Sequence, residues 1–288
     1  MDYSEYTSRG TEIKEYLAEV SDQVQLNIIE FIPQSDSPEK PIVLFVAGWI
    51  SMITGWKPVV QKITPEYRTV YLETREKSSS VVPQGKRVSF TMERLAEDID
   101  NIIQKTIPGD RSFIIAGSSL GATAIIQYLA RNRRQPECAI LISPVLEFHF
   151  PPVLGDIIPL LHPSLYLIIK PLIKWYLRNF RLDKKREIEQ VKKYEGTLDA
   201  ADPYKLKANA IALKNYTIWE HLPGVPVPTL IIGATSDKLH GTDTLKKMLD
   251  GLRHSDYSEL ASNKETHSAK AGELIVNYIR NREYEKIS

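Results

Sequence analysis

The stretch Phe113-Ile114-Ile115-Ala116-Gly117-Ser118-Ser119-Leu120-Gly121-Ala122-Thr123 admits few local structures. Four apolar residues run straight into Gly-x-Ser-x-Gly, and Ala122, Ala124, Ile125, Ile126 and Leu129 then recur with helical spacing, so strand, tight turn and helix meet at Ser119. A turn this sharp obstructs side chains two positions either side, which accounts for glycine at both flanks. The Ser119 hydroxyl is pushed out of the turn, and the N–H groups opening the following helix point at any oxyanion formed on a carbonyl it attacks. Taken alone, the motif also fits a turn that merely packs helix on sheet, so its chemical weight depends on the rest of the chain.

The same rhythm recurs along the sequence. Residues 3–11 read as a loose lead-in, and residues 15–20 and 23–31 as an opening pair of strands. A cluster of Pro, Ser and Asp at 33–41 makes a turn. Ile42, Val43, Leu44, Phe45 and Val46 are apolar at consecutive positions, as in a strand buried on both faces of a parallel sheet, and end at Ala47-Gly48-Trp49. Gly48 there lets the backbone turn close to a ligand, and the N–H of Trp49 can face the site. Trp56, Val59, Val60 and Ile63 form a helical stripe, residues 68–72 a strand, and residues 73–80 a charged, serine-rich loop. A helix running from Ser89 stops at Pro108-Gly109-Asp110. The helix after Ser119 ends in Arg131-Asn132-Arg133-Arg134, which reads as a solvated run of cations at the negative end of the helix dipole. Strands follow at 138–142 and 226–233, then a helix at 243–252, a short run at 257–260, and a closing helix with Leu274, Ile275, Tyr278 and Ile279 inward. Apolar strands alternating with amphipathic helices predict a mostly parallel, doubly wound sheet, with ligands at the carboxyl ends of its strands.

Between residues 145 and 225 the rhythm breaks. Five prolines punctuate an apolar stretch with no strand pattern, which predicts a helical insertion in pieces after the sixth strand, leaving 1–144 and 226–288 as the core. Within it Lys170, Lys174, Arg178 and Arg181 repeat at helical spacing beside Leu172, Ile173, Trp175, Leu177 and Phe180. Such a basic amphipathic helix can cover an active site as a lid, dock at an anionic bilayer as a peripheral contact, or simply cover the sheet with its cations solvated. A net charge of +1 gives no reason to expect nucleic acid as a partner. One cysteine, Cys138, cannot form an internal disulfide, and the polar start Met1-Asp2-Tyr3-Ser4-Glu5 is unlike an export signal; a soluble protein of a reducing, cytoplasmic compartment is expected. No ligand spacing suggests a metal, and no cofactor is expected.

A serine hydroxyl needs a base with a pKa near neutrality, and histidine supplies one; a carboxylate then fixes the ring's tautomer. Ser119, Asp237 and His267 occur in that order, each in a loop after a strand. His162 and His221 belong to the insertion or its edge, whereas His240 and His254 flank a helix. With these residues the chain resembles the α/β-hydrolase superfamily, in particular the capped serine hydrolases that include monoglyceride lipases, lysophospholipases and carboxylesterases. The resemblance implies an α/β-hydrolase fold with a helical cap at 145–225, Ser119 as nucleophile, Asp237 as acid and His267 as base. It implies oxyanion donors in the N–H groups of Leu120 and Trp49, with Gly48 and Ser118 beside them touching substrate. The activity implied is hydrolysis of a carboxylic ester, from a small molecule or a lipid, with an apolar acyl chain. A peptidase, thioesterase or acyltransferase could use the same triad, and a binding module could keep the fold without turnover. Two positions depart from the superfamily pattern. Ala47-Gly48 stands where many members have His-Gly, and Glu73-Thr74-Arg75-Glu76-Lys77 stands where many have a glycine-bearing loop.

Overall fold

The computed structural model describes residues 1–83, 88–131, 133–148, 156–176, 178–179, 188–235 and 242–287. Its centre is an eight-stranded sheet of β1 (Glu12–Glu19), β2 (Gln25–Ile32), β3 (Ile42–Val46), β4 (Thr69–Glu73), β5 (Phe113–Ser118), β6 (Ala139–Ile142), β7 (Thr229–Ala234) and β8 (Ser255–Leu260), in the order β1-β2-β4-β3-β5-β6-β7-β8. β2 is antiparallel to both β1 and β4, and every other pairing is parallel. The register brings Val46 opposite Leu72 and Gly117, Ser118 opposite Ile142, and Ile142 opposite Ile232, so the carboxyl ends of the central strands lie level.

Alternation along those strands sorts two cores. Ile42, Leu44, Val46, Phe113 and Ile115 face α2 (Met92–Thr106) and α3 (Leu120–Leu129). Val43, Phe45, Ile114 and Ala116 face α1 (Lys57–Ile63) and the closing helix, Ala269–Ile287. Both faces being covered is what lets the central strands be apolar at consecutive positions. Between β6 and β7 the insertion contributes α4 (Leu165–Tyr176), α5 (Ile188–Ala200) and α6 (Pro203–Leu213), with one isolated bridge between Glu147 and Thr217. The helix Thr242–Gly251 (α7) joins β7 to β8, and the closing helix is α8. Among the described residues no helix is long and apolar enough to cross a membrane.

Two local expectations are corrected, and the loop after β4 is a loop as expected but lies inside. The amino-terminal segment is packed: Tyr3 and Tyr6 are buried, the Tyr3 ring meets Phe31 edge-on, and the Thr64 hydroxyl donates to Tyr6 O at 2.7 Å. The cationic run after α3 is not simply solvated. Arg134 donates to the carbonyls of Ile107 at 3.0 Å and Pro108 at 2.7 Å, with its guanidinium over the Phe113 ring, so it clamps the α2–β5 turn. The loop after β4 is charged yet interior: Thr74, Arg75, Glu76 and Lys77 are all buried. Arg75 makes this possible through two 2.6 Å bonds to Asp98 of α2 and one of 2.7 Å to Ser89 O, so that burial leaves neither charge alone.

Candidate active site

β5 delivers Ser119 in a conformation that L-residues rarely adopt, φ 48° and ψ −120°. Such a backbone costs of order 1–3 kcal/mol and persists only where its surroundings hold it. Here the N–H of Ser119 donates to Ile142 O at 2.9 Å, and its carbonyl accepts from Thr123 of α3. The flanking glycines are needed for close approach. A Cβ on Gly121 would stand 2.3 Å from Val46 O and 2.7 Å from Ala47 O, and one on Gly117 would stand 2.8 Å from Val46 O. The turn thus sits directly on the end of β3. Leu120 opens α3, and its N–H has no carbonyl four residues back within that helix.

Gly48 lies against the elbow, where a Cβ would be 3.1 Å from Ser119 Cβ and 3.2 Å from Ser118 Oγ. Ser118 itself is buried, and its hydroxyl has no hydrogen-bond partner among the described residues. The carbonyl of Gly48 accepts from the N–H of Ser51, closing a turn in which Ile50 takes φ 46°. Gly48, Trp49, Ser118, Ser119 and Leu120 therefore come together at one point of the sheet's carboxyl edge.

His267 stands at the same edge, after β8, in the short turn Glu265–His267. Its Nδ1 lies 3.0 Å from Asn263 O and 3.1 Å from Thr266 Oγ1. A carbonyl oxygen only accepts, so Nδ1 is the donor in this contact, and in the neutral form of a ring so held Nε2 carries the lone pair a general base uses. The ring is also flanked by Trp56, with centroids 4.1 Å apart, and Trp56 Nε1 donates to Ser51 Oγ at 2.9 Å. One segment, 48–56, thereby runs from the elbow to the histidine. Asp237, the expected acid, lies outside the described residues, as does Arg181 of the basic repeat. Two supports of His267, the Asn263 carbonyl and the Trp56 ring, carry no mark in the sequence: main-chain carbonyls leave no residue signal, and Trp56 reads only as part of a helical stripe.

His267 also borders an open cleft of about 530 Å³ between the α5 segment and the core, with Met52, Thr54, Lys192 and Thr197 among its walls. The insertion is tied down on both sides of this edge. Tyr194 OH donates to Asn263 Oδ1 at 3.2 Å, and Lys205 Nζ donates to Lys77 O at 2.7 Å and to Ser80 O. The basic helix departs from expectation. Lys170 and Lys174 pair with Asp199 at 3.0 and 2.6 Å, and Arg178 pairs with Glu195, so its cations turn to α5. Solvent instead meets Leu167, Ile168, Leu172 and Trp175, each more than half exposed.

A family model, Hydrolase_4, described as "Serine aminopeptidase, S33", matches residues 37–267. No curated protein matches the sequence. Among solved structures, the chain is similar to a thermophilic esterase from Thermogutta terrifontis, at 15% identity and TM-score 0.73 over 94% of this chain and 99% of that one. It is similar to an esterase from Exiguobacterium antarcticum at 16% identity and TM-score 0.72, covering 93% and 100%. An enol-lactonase from Burkholderia xenovorans LB400 gives 16% identity and TM-score 0.74, covering 92% and 100%. At such identities the likeness is one of fold.

Proposed function

The chain belongs to the serine aminopeptidase family of α/β-hydrolases, and from that membership we propose that it is a serine hydrolase cleaving carboxylic esters through an acyl-enzyme. The observation that carries the reading is Ser119 held at φ 48° between two glycines that accept no Cβ, with Gly48 of the neighbouring loop against it. In this mechanism His267 Nε2 takes the proton of Ser119 as its oxygen attacks the ester carbonyl. The N–H groups of Trp49 and Leu120 hold the oxyanion, and Asp237 orients the imidazole. His267 then protonates the departing alcohol, and later removes a proton from the water that releases the acid, restoring Ser119.

The choice of ester over amide is supported by the esterases and enol-lactonase that share the fold, and by the apolar side of α4. That side would meet an acyl chain or a lipid surface through Leu167, Ile168, Leu172 and Trp175, rather than through the cations. Residues 145–225 would act as the cap over the core formed by 1–144 and 226–288. Buried Cys138 fits a reducing, cytoplasmic compartment.

The test is intact-mass spectrometry after exposure to a fluorophosphonate, on the parent and on Ser119→Ala, followed by matched acyl esters, thioesters and aminoacyl amides. One adduct that vanishes in Ser119→Ala, with ester turnover exceeding amide turnover, is expected. A folded parent that takes no adduct refutes the mechanism, and faster cleavage of aminoacyl amides replaces the ester reading with a peptidase.

A further inference from the structure

We propose that Lys77 is a positioning residue of the oxyanion site, a cation seated on the carbonyl side of the peptide group whose N–H receives the developing negative charge. The proposal rests on the reading of the Trp49 N–H as an oxyanion donor. The carbonyl of Gly48 and the N–H of Trp49 belong to one peptide group, and no cis peptide occurs among the described residues, so the two point in opposite directions. Whatever fixes the carbonyl therefore aims the N–H.

Two donors fix it. Lys77 Nζ donates to Gly48 O at 2.9 Å, and the N–H of Ser51 donates to the same oxygen at 3.0 Å. Among the described residues the Trp49 N–H makes no hydrogen bond, as an oxyanion donor requires. A charged donor on an amide oxygen draws electron density from the nitrogen and strengthens the opposite N–H as a donor, an effect enlarged by low local dielectric. Lys77 is 5% exposed, so little water screens it.

The lysine is itself held in place. Its ammonium donates to Thr74 Oγ1 at 3.1 Å and lies 3.6 Å from Glu76 Oε1, while the Thr74 hydroxyl donates to Glu76 Oε1 at 2.7 Å. Each of its three N–H bonds thus has an acceptor nearby, one of them the Gly48 carbonyl. This loop is where the sequence departs from the glycine-bearing pattern of its superfamily. Here a buried cation supports the oxyanion loop from behind.

Lys77→Met keeps most of the stem and removes the charge. With a chromogenic short-chain ester, kcat should fall about 30-fold at unchanged KM, less than the hundredfold or more that losing an oxyanion donor itself costs. Affinity for a trifluoromethyl ketone, which adds Ser119 across its carbonyl as a hemiketal, should fall by the same factor. Thr74→Val, which removes one partner of the ammonium, should lose about three-fold in kcat. A kcat within two-fold of the parent, or a fall in kcat without the parallel fall in hemiketal affinity, overturns the proposal. Should Lys77→Met not fold, Lys77→Ala is assayed with added propylammonium, which the neighbouring cavity of about 200 Å³ bordered by Lys77, Ile50 and Ser51 can admit. Recovery of kcat with propylammonium but not tetramethylammonium supports the assignment, and no recovery refutes it. The parent's fluorophosphonate adduct separates the two readings. If the parent takes none, the triad mechanism falls and this proposal with it; if the parent labels normally and Lys77→Met turns over like it, only the role of Lys77 falls.

Discussion

Replacing Arg75 and Asp98, singly and together, tests whether the loop behind the oxyanion site is built on a buried ion pair. Both side chains are 0% exposed, joined by two bonds of 2.6 Å, with a third from Arg75 to Ser89 O at 2.7 Å. Arg75→Met leaves a carboxylate, and Asp98→Leu a guanidinium, buried without its counter-charge; each should cost about 3–5 kcal/mol. Independent losses would add to about 6–10 kcal/mol, but the double variant leaves no bare charge and should lie within about 2 kcal/mol of the parent. The single variants should also differ in pH dependence. Burial already presses the Asp98 carboxyl above its ordinary 3.8, against the pull of Arg75; without Arg75 only the smaller pull of Arg94 opposes burial and Glu76, so the carboxyl rises further. A carboxyl whose folded pKa exceeds its unfolded one binds its proton more tightly when folded. Arg75→Met should thus be most stable below the unfolded pKa and lose stability as pH rises through the folded one. Urea unfolding, read by fluorescence and circular dichroism with coincident transitions, measures both effects at pH 5 and pH 8. Additive losses in the double variant, or an Arg75→Met cost that does not change with pH, would show that the two charges do not depend on each other.

Gly121→Ala should be much more damaging than Gly48→Ala. The first places a Cβ 2.3 Å from a main-chain oxygen of β3 and should cost about 3 kcal/mol or more with loss of turnover; the second meets Ser119 Cβ at 3.1 Å and should leave a folded protein with slowed acylation. Thermal melts and ester kinetics on the two variants check this ordering. Asp199→Ala removes the partner of Lys170 and Lys174 on the insertion, but Asp199 is 51% exposed, so the stability change should be about 0.5 kcal/mol or less in the same urea assay.

The sheet was legible because its central strands carry a strong local signal. Residues 42–46 and 113–116 are apolar at consecutive positions, and the glycines around Ser119 mark a sharp turn that must sit on β3. What stayed hidden depends on partners distant in sequence. Nothing around Arg75 announces burial, since its counter-charge is Asp98, 23 residues on and in another element. The basic repeat of α4 looks like a surface for anions until Asp199 and Glu195 arrive from the next helix. Arg134 reads as a helix-end cation because the carbonyls it clamps, those of Ile107 and Pro108, have no residue signature. Chain order singles out Ser119 and His267 as candidates, whereas the Asn263 carbonyl 3.0 Å from the ring's Nδ1 is main chain and invisible to composition.

The insertion's two ties to the rim of the sheet bear on how new specificities could be engineered. Tyr194 reaches Asn263, whose carbonyl receives the proton of the His267 ring, and Lys205 reaches the main chain of Lys77, whose side chain holds the Gly48 carbonyl. Transplanting a foreign segment between β6 and β7 would discard both ties at once, loosening the loops that carry Lys77 and His267 together with the walls of the cleft. A chimera meant to accept a new substrate would then lose rate on every substrate, the old one included. Carrying Tyr194 and Lys205 over into the graft separates the exchange of walls from the disturbance of the loops beneath them.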